Sequence, residues 1–122
     1  MAEVMVTKSR SIGASKKEKI TEANFDEKVL NSPTPVLLDF WARWCLPCKR
    51  MKPAIKKLEE EYGDRIKIYK INFDDEAQKE VVNLMGIEKL PTLYLIKEGE
   101  TVDYSEGELS YEALVEFIAP HL

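Results

Sequence analysis

Apolar and polar positions follow two rhythms along this chain, and the change from one to the other marks its elements. From Val36 to Trp41 the run has no polar alternation apart from Asp39, which predicts a strand covered on both faces, as in a parallel sheet. Met51, Ile55, Leu58 and Tyr62 then recur at spacings of four, three and four, one apolar stripe of a helix. Pro53 is expected to kink that helix, because proline removes a ladder bond and crowds the preceding turn. Ile66 to Phe73 reads as the next strand. Asp75 should cap a further helix, with Gln78 placed for a reciprocal bond, and Gly86 should end it in the left-handed conformation. Thr92 to Lys97, a Glu98-Gly99 turn and Glu100 to Ser105 predict an antiparallel hairpin. Ser110 starts a last helix with Leu114, Phe117 and Ile118 inward.

Ahead of the central strand, Lys19-Ile20 reads as a short first strand. A helix burying Phe25, Val29 and Leu30 should follow, capped by Thr21 or by Asn24, with Glu27 three residues after Asn24 as in a capping box. Ser32-Pro33-Thr34-Pro35 breaks the chain. The order βαβαβαββα implies an α/β fold: a mixed sheet of about five strands sandwiched by four helices. Residues 1 to 16, rich in Lys, Ser and small side chains, are expected to be a mobile extension, with Val4-Met5-Val6 able to add an edge strand. Residues 17 to 122 form the domain. A transit peptide is the alternative for the extension, opposed by Glu3 and the short length.

The length of 122 residues is that of one domain, and 44% hydrophobic residues suffice for a core. Eighteen bases against 22 acids give a net charge of −4, so nucleic acid is not an expected partner. No secretory h-region or membrane-length apolar segment is visible, and a membrane association is not expected. The two cysteines stand as Cys45-Leu46-Pro47-Cys48, with none left over for a stapling framework, which fits a reducing compartment and a cytoplasmic protein.

That pair sits where the buried strand gives way to the helix, so the thiols can close a small disulfide with little backbone movement. At the helix start, unpaired amides and the dipole favour a Cys45 thiolate, while Cys48, one turn in, is expected to be shielded. Cys45 is therefore the expected nucleophile and Cys48 the resolving thiol. Pro47 fits the first turn, where its missing N–H is harmless. From Phe40 to Leu58 there is no acid, while Arg43, Lys49, Arg50, Lys52, Lys56 and Lys57 are basic and Glu59, Glu60 and Glu61 follow. Charge thus opposes the helix dipole at both ends, partly offset by Lys56 with Glu60 and Lys57 with Glu61. A rule broken this way suggests a front kept positive to favour the thiolate and attract acidic partner surfaces. The plain alternative is a solvated basic face.

Zinc would need four N or S ligands, and the chain offers two sulfurs and His121. A cysteine hydrolase would need an imidazole against the thiol, which His121 at the terminus does not promise. Asp39, inside the apolar strand, should have its pKa raised by desolvation and serve as a proton acceptor near neutral pH; a carboxylate at the sheet's edge is the alternative. Lys70 shares strand parity with Ile66 and Ile68, so its amine either lies inside near Asp39 or snorkels out. Trp44 should cover the site and touch partners, and Trp41 should pack beneath it.

C-x-x-C beside a βαβ pattern is a known mark of redox proteins of one kind, and the likeness here goes further. Val36 to Lys49, with Trp44-Cys45-Leu46-Pro47-Cys48, resembles thioredoxin, as do Pro53, Lys70 in Tyr69-Lys70-Ile71-Asn72, Leu90-Pro91-Thr92, Gly99 and Gly107, over roughly residues 17 to 122. The resemblance implies a thioredoxin fold and a protein disulfide reductase. It implies that Asp39 deprotonates Cys48 through water and that Leu90-Pro91 is cis with Pro91 facing the cysteines. There Pro91 would shape a groove, leave the Leu90 backbone free to pair with substrate and discourage metal. Cys45, Cys48, Asp39 and Lys70 are thus the expected catalytic set, and Trp44, Leu46, Pro47, Leu90 and Pro91 the substrate-binding set. No bound cofactor is expected beyond the Cys45–Cys48 disulfide, since no dinucleotide fingerprint is present. The implied partners are disulfide-containing target proteins and a thioredoxin reductase as electron donor, with the chain a monomer. A disulfide oxidase or isomerase, or a binding module with incidental cysteines, are the competing functions.

The family usually has Gly where this chain has Leu46, whose bulk should stiffen the loop, add an apolar contact and shift the balance between dithiol and disulfide. Leu46→Gly is expected to move the measured potential, by about 30 mV for each tenfold change in that equilibrium. An unchanged potential together with unchanged partner kinetics would reject a role for Leu46.

Overall fold

The computed structural model describes residues 18–122. The expected N-terminal extension, with Val4-Met5-Val6, lies outside the described residues. Strand β1 (Val36–Trp41) is the centre. It pairs in parallel with β2 (Lys67–Asn72) and antiparallel with β3 (Thr92–Lys97), which pairs antiparallel with β4 (Glu100–Glu106), giving the order β2-β1-β3-β4. The unbroken apolar run of β1 has a direct cause, because both of its faces are covered. Val36, Leu38 and Phe40 point into a core with Ile20, Phe25, Val29, Val81 and Val82. Leu37 points into the opposite core, with Met51, Ile55 and Leu58 of helix α1 (Leu46–Tyr62) and Leu114 and Ile118 of helix α3 (Tyr111–Ile118). The stripe read from the spacing in α1 is the face that packs on the sheet, and the helix runs unbroken through Pro53. Phe117 is only partly buried at the border of that core.

Helix α2 (Lys79–Met85) lies on the other face and ends at Gly86, whose φ of 64° is the left-handed conformation that glycine adopts without a Cβ clash. The β3–β4 hairpin turns through Glu98 and Gly99, both at positive φ (54° and 83°), a geometry in which glycine relieves one of two unfavourable positions. Ser110 accepts a hydrogen bond from the Ala113 amide at 3.1 Å and caps α3 as its position predicts.

The first part of the chain departs from expectation. Lys19-Ile20 is not a strand, so the sheet has four strands among the described residues. Ile20 still buries its side chain completely, but its carbonyl is held by a side chain: Gln78 Nε2 donates to Ile20 O at 3.0 Å while Gln78 Oε1 accepts from the Asn72 amide at 2.9 Å. Gln78 is thereby used up and makes no reciprocal bond at the helix start, where Asp75 alone accepts from the Ala77 amide at 2.9 Å. Nor does Asn24 cap. Its Oδ1 accepts from the Thr21 amide at 2.8 Å and its Nδ2 donates to Lys19 O at 2.9 Å, and the following segment is a π-helical turn, Asp26–Leu30, closed by Asn31 N–H to Asp26 O at 2.9 Å. Phe25 and Val29 are buried as expected, and Leu30 only partly. The pairs Lys56–Glu60 and Lys57–Glu61 do not form. Glu61 accepts a short hydrogen bond from the Tyr111 hydroxyl, and Lys57 Nζ lies 4.3 Å from the Tyr111 ring centroid.

Gln78 is 2% exposed, so its loss leaves the buried Ile20 carbonyl and the part-buried Asn72 amide unsatisfied. Gln78→Ala is expected to lower the unfolding free energy by roughly 2 kcal/mol or more in urea titration, at about 1–3 kcal/mol for each group. A loss under about 0.5 kcal/mol would mean that water replaces the amide without penalty.

Candidate active site

Cys45 is the N-cap of α1, in extended conformation, and Leu46 and Pro47 open the first turn. Proline costs nothing there because the first amides of a helix have no intrahelical partner. Cys45 and Cys48 form a disulfide, with their Cα atoms 5.3 Å apart. Cys45 Sγ accepts from the Cys48 amide at 3.2 Å, so the donor that would stabilise a thiolate already points at this sulfur. Upstream, Cys45 N–H donates to Ala42 O at 3.1 Å, and fully buried Ala42 packs against both cysteines.

The two cysteines are nearly equally buried, 5% exposed for Cys45 and 8% for Cys48, so shielding does not separate them as the sequence suggested. Position does. Cys45 holds the helix terminus, whereas Cys48 opens onto a cleft of about 400 Å³ that it shares with Asp39, Trp41 and Lys70 and whose rim carries Arg43, Lys49 and Lys52.

Asp39 is 5% exposed in the middle of β1, on the same face as Leu37, and its Oδ1 has no hydrogen-bond partner. Burial pushes its pKa up to about 7; Lys70 pulls it down and Glu59 pushes it further up. Lys70 is the register partner of Asp39 on the neighbouring strand and is half-buried, which settles its parity inward. Glu59 was not singled out from the sequence, although it stands four residues after Ile55 and so borders the buried stripe of α1.

Around the sulfurs the wall is apolar. Trp41, Phe73 and Leu90 pack against the cysteines. The Leu90–Pro91 peptide is cis, Pro91 is buried, and its carbonyl accepts from the Gly107 amide at 2.8 Å. Leu90 makes no backbone hydrogen bond among the described residues. Trp44 and Leu46 stand out beside the disulfide at 66% and 61% exposure. Trp44 is nevertheless held: its Nε1 donates to Asp74 Oδ2 at 2.7 Å and its ring meets Phe73 edge-on, with centroids 6.4 Å apart. The sequence carried no sign of this tether, since Asp74 lies 30 residues away, between the strand expected to end at Phe73 and the Asp75 cap.

Together these groups bring a cysteine pair, a buried carboxyl of raised pKa and an apolar platform to the carboxyl end of the central parallel strand, the end where open α/β sheets place their sites. A family model described as Thioredoxin matches residues 16–120. Curated relatives carry the same word in their names: "Thioredoxin 1" of Synechococcus elongatus is 37% identical and "Thioredoxin" of Haemophilus influenzae 41%, each over 84% of this chain and 94% of the relative. "Thioredoxin" of Bacillus subtilis is 40% identical over 85% of this chain and 96% of its own length. With its cysteine pair at the mouth of that cleft and a match that spans the domain, the chain belongs to the thioredoxin family.

Proposed function

We infer that this protein reduces disulfide bonds in other proteins by cycling Cys45 and Cys48 between dithiol and disulfide. The observation that carries this is the redox pair itself, a Cys45–Cys48 disulfide at a helix N-terminus above a buried, unpartnered carboxyl. In the reduced protein the Cys45 thiolate attacks one sulfur of a target disulfide. The target S–S bond breaks, a Cys45–target bond forms, and the other target sulfur leaves as a thiolate. Asp39 takes the proton of Cys48, through water, and the Cys48 thiolate attacks Cys45 Sγ. The second target thiol is released, so that two electrons have passed to the target and the protein is left oxidised.

Trp44, Leu46, Pro47 and Leu90 offer the apolar contact for an extended target segment, and the unpaired Leu90 backbone supplies main-chain hydrogen bonds to it beside Pro91. Lys70 tunes Asp39. A thioredoxin reductase returns the electrons, as the family implies. In this reading the Cys45–Cys48 dithiol is the only redox group the reaction uses, and one chain supplies every residue it needs. A single C-x-x-C with no other cysteine supports a cytoplasmic, reducing location. A disulfide oxidase would differ in one measurable respect, a far less reducing potential.

Cys48→Ser removes the resolving step, so turnover with a protein disulfide should fall to background and target proteins should accumulate as mixed disulfides that dithiothreitol releases. Full turnover by this variant would overturn the dithiol mechanism.

Asp39 gives a pH signature. Folding raises its pKa from 3.8 to about 7, so between those values the folded state binds more protons than the unfolded one and stability falls as pH rises through the window. Asp39→Asn should therefore be more stable than the parent at pH 8, by an amount on the order of 3–4 kcal/mol, with the difference vanishing near pH 4. The same variant should slow release of the mixed disulfide above pH 7 without preventing its formation. A parent whose stability is flat from pH 4 to 8 would contradict the buried assignment.

A further inference from the structure

The chain as a whole is acidic, yet the ground beside its disulfide is not. Arg43 and Lys49 line both the cleft that Cys48 opens onto and a second hollow, of about 610 Å³, against Trp44 and Asp74, so the two cations form a ridge between them. Lys52, one turn after Lys49, and half-buried Lys70 extend the positive lining on the Cys48 side. Among the described residues none of these four makes an ion pair, whereas Arg50, on α1 with Lys49 and Lys52, is bonded to Glu108 at 2.9 Å. The acids that face the ridge are few. Asp74 Oδ2 is occupied by the Trp44 indole, and Asp39 is buried at the cleft floor.

The arrangement is unfavourable for the helix itself. The first turn of α1 has no acid and the last has no base, so its charges oppose the dipole at each end. Cations without an ion-pair partner among the described residues, gathered beside the reacting sulfurs and in part set against the dipole of α1, are what a surface selected for an anionic visitor requires.

We propose that the ridge of Arg43, Lys49 and Lys52 is a specificity-determining subsite that selects, among target disulfides, those flanked by a polypeptide segment rich in Asp and Glu. Resting on the reductase reading above, this adds the charge of the target and leaves the chemistry unchanged. A segment crossing from Trp44 toward the Cys48 cleft sets its carboxylates on the ridge while its disulfide lies over Cys45. Attraction of this kind acts mainly on encounter and is screened by salt.

Three synthetic peptides with one identical disulfide loop, flanked by Asp and Glu, by Ser and Gln, or by Lys, provide the test. At about 20 mM salt, where the Debye length is roughly 20–30 Å, the acidic peptide should be reduced with a kcat/KM at least about tenfold above the basic one. The preference should shrink toward parity at about 0.5 M salt. In Arg43→Glu/Lys52→Glu the ratio should fall to one or invert. The ratio is the readout because any effect of these charges on the Cys45 thiolate is common to all three peptides. Equal rates with the parent protein, or a preference that survives both salt and the double variant, would overturn the subsite. Failure to reduce even the neutral peptide would instead count against the reductase reading.

Discussion

A carboxyl buried without a partner is the constraint on which the remaining structure turns. Asp39 occupies the middle of β1, the one strand with a core on each face, and its Oδ1 is satisfied by nothing among the described residues. An ionised carboxylate in such a place costs several kcal/mol, so the group holds its proton up to about pH 7. The fold tolerates this because the rest of β1 is well packed: Val36, Leu37, Leu38 and Phe40 are all fully buried. Stability is conceded at one position, and it places a carboxyl of neutral pKa on the cleft that reaches Cys48.

The cleft works through a division of labour between the two ends of a short chemical path. At its mouth the helix terminus and the Cys48 amide favour negative charge on Cys45. At its floor burial disfavours negative charge on Asp39, and Lys70 moderates that without cancelling it. The two effects act on different groups: the helix terminus favours a Cys45 thiolate, while burial keeps the Asp39 carboxyl, on the cleft that Cys48 lines, able to hold a proton up to about pH 7. Glu59 leans the same way from α1.

Much of this was legible in the sequence because it depends on local rules. The apolar run of β1, the stripe of α1, the left-handed Gly86 and the Ser110 cap each follow from period or residue type. The placement of Cys45 and Pro47 at a helix start follows in the same way, and the thioredoxin likeness carried the cis Leu90–Pro91 bond. What escaped was non-local. Gln78 could serve its own helix or reach 58 residues back to Ile20, and spacing could not tell which. Lys57 and Glu61 looked like an i, i+4 pair until Tyr111, from a distant helix, took both. The near-equal exposure of the two sulfurs also ran against expectation, since a helix terminus in isolation leaves its cap open, whereas here Trp41, Phe73 and Leu90 close over it.

Ile20 is fastened by a glutamine instead of a ladder of amides, and this bears on how the molecule comes apart. A strand at a sheet edge shares its hydrogen bonds with its neighbour and leaves only when that neighbour is disturbed. The segment around Ile20 is anchored by one side-chain amide, the Lys19–Asp75 ion pair at 2.7 Å and its apolar contacts, none of them part of the ladder that joins β1 to β4, so it can peel away while the sheet stays zipped. The other end of the same glutamine grips Asn72, just ahead of the Phe73–Asp74 corner that steadies Trp44, so a single side chain ties the start of the domain to the ground beneath the exposed indole.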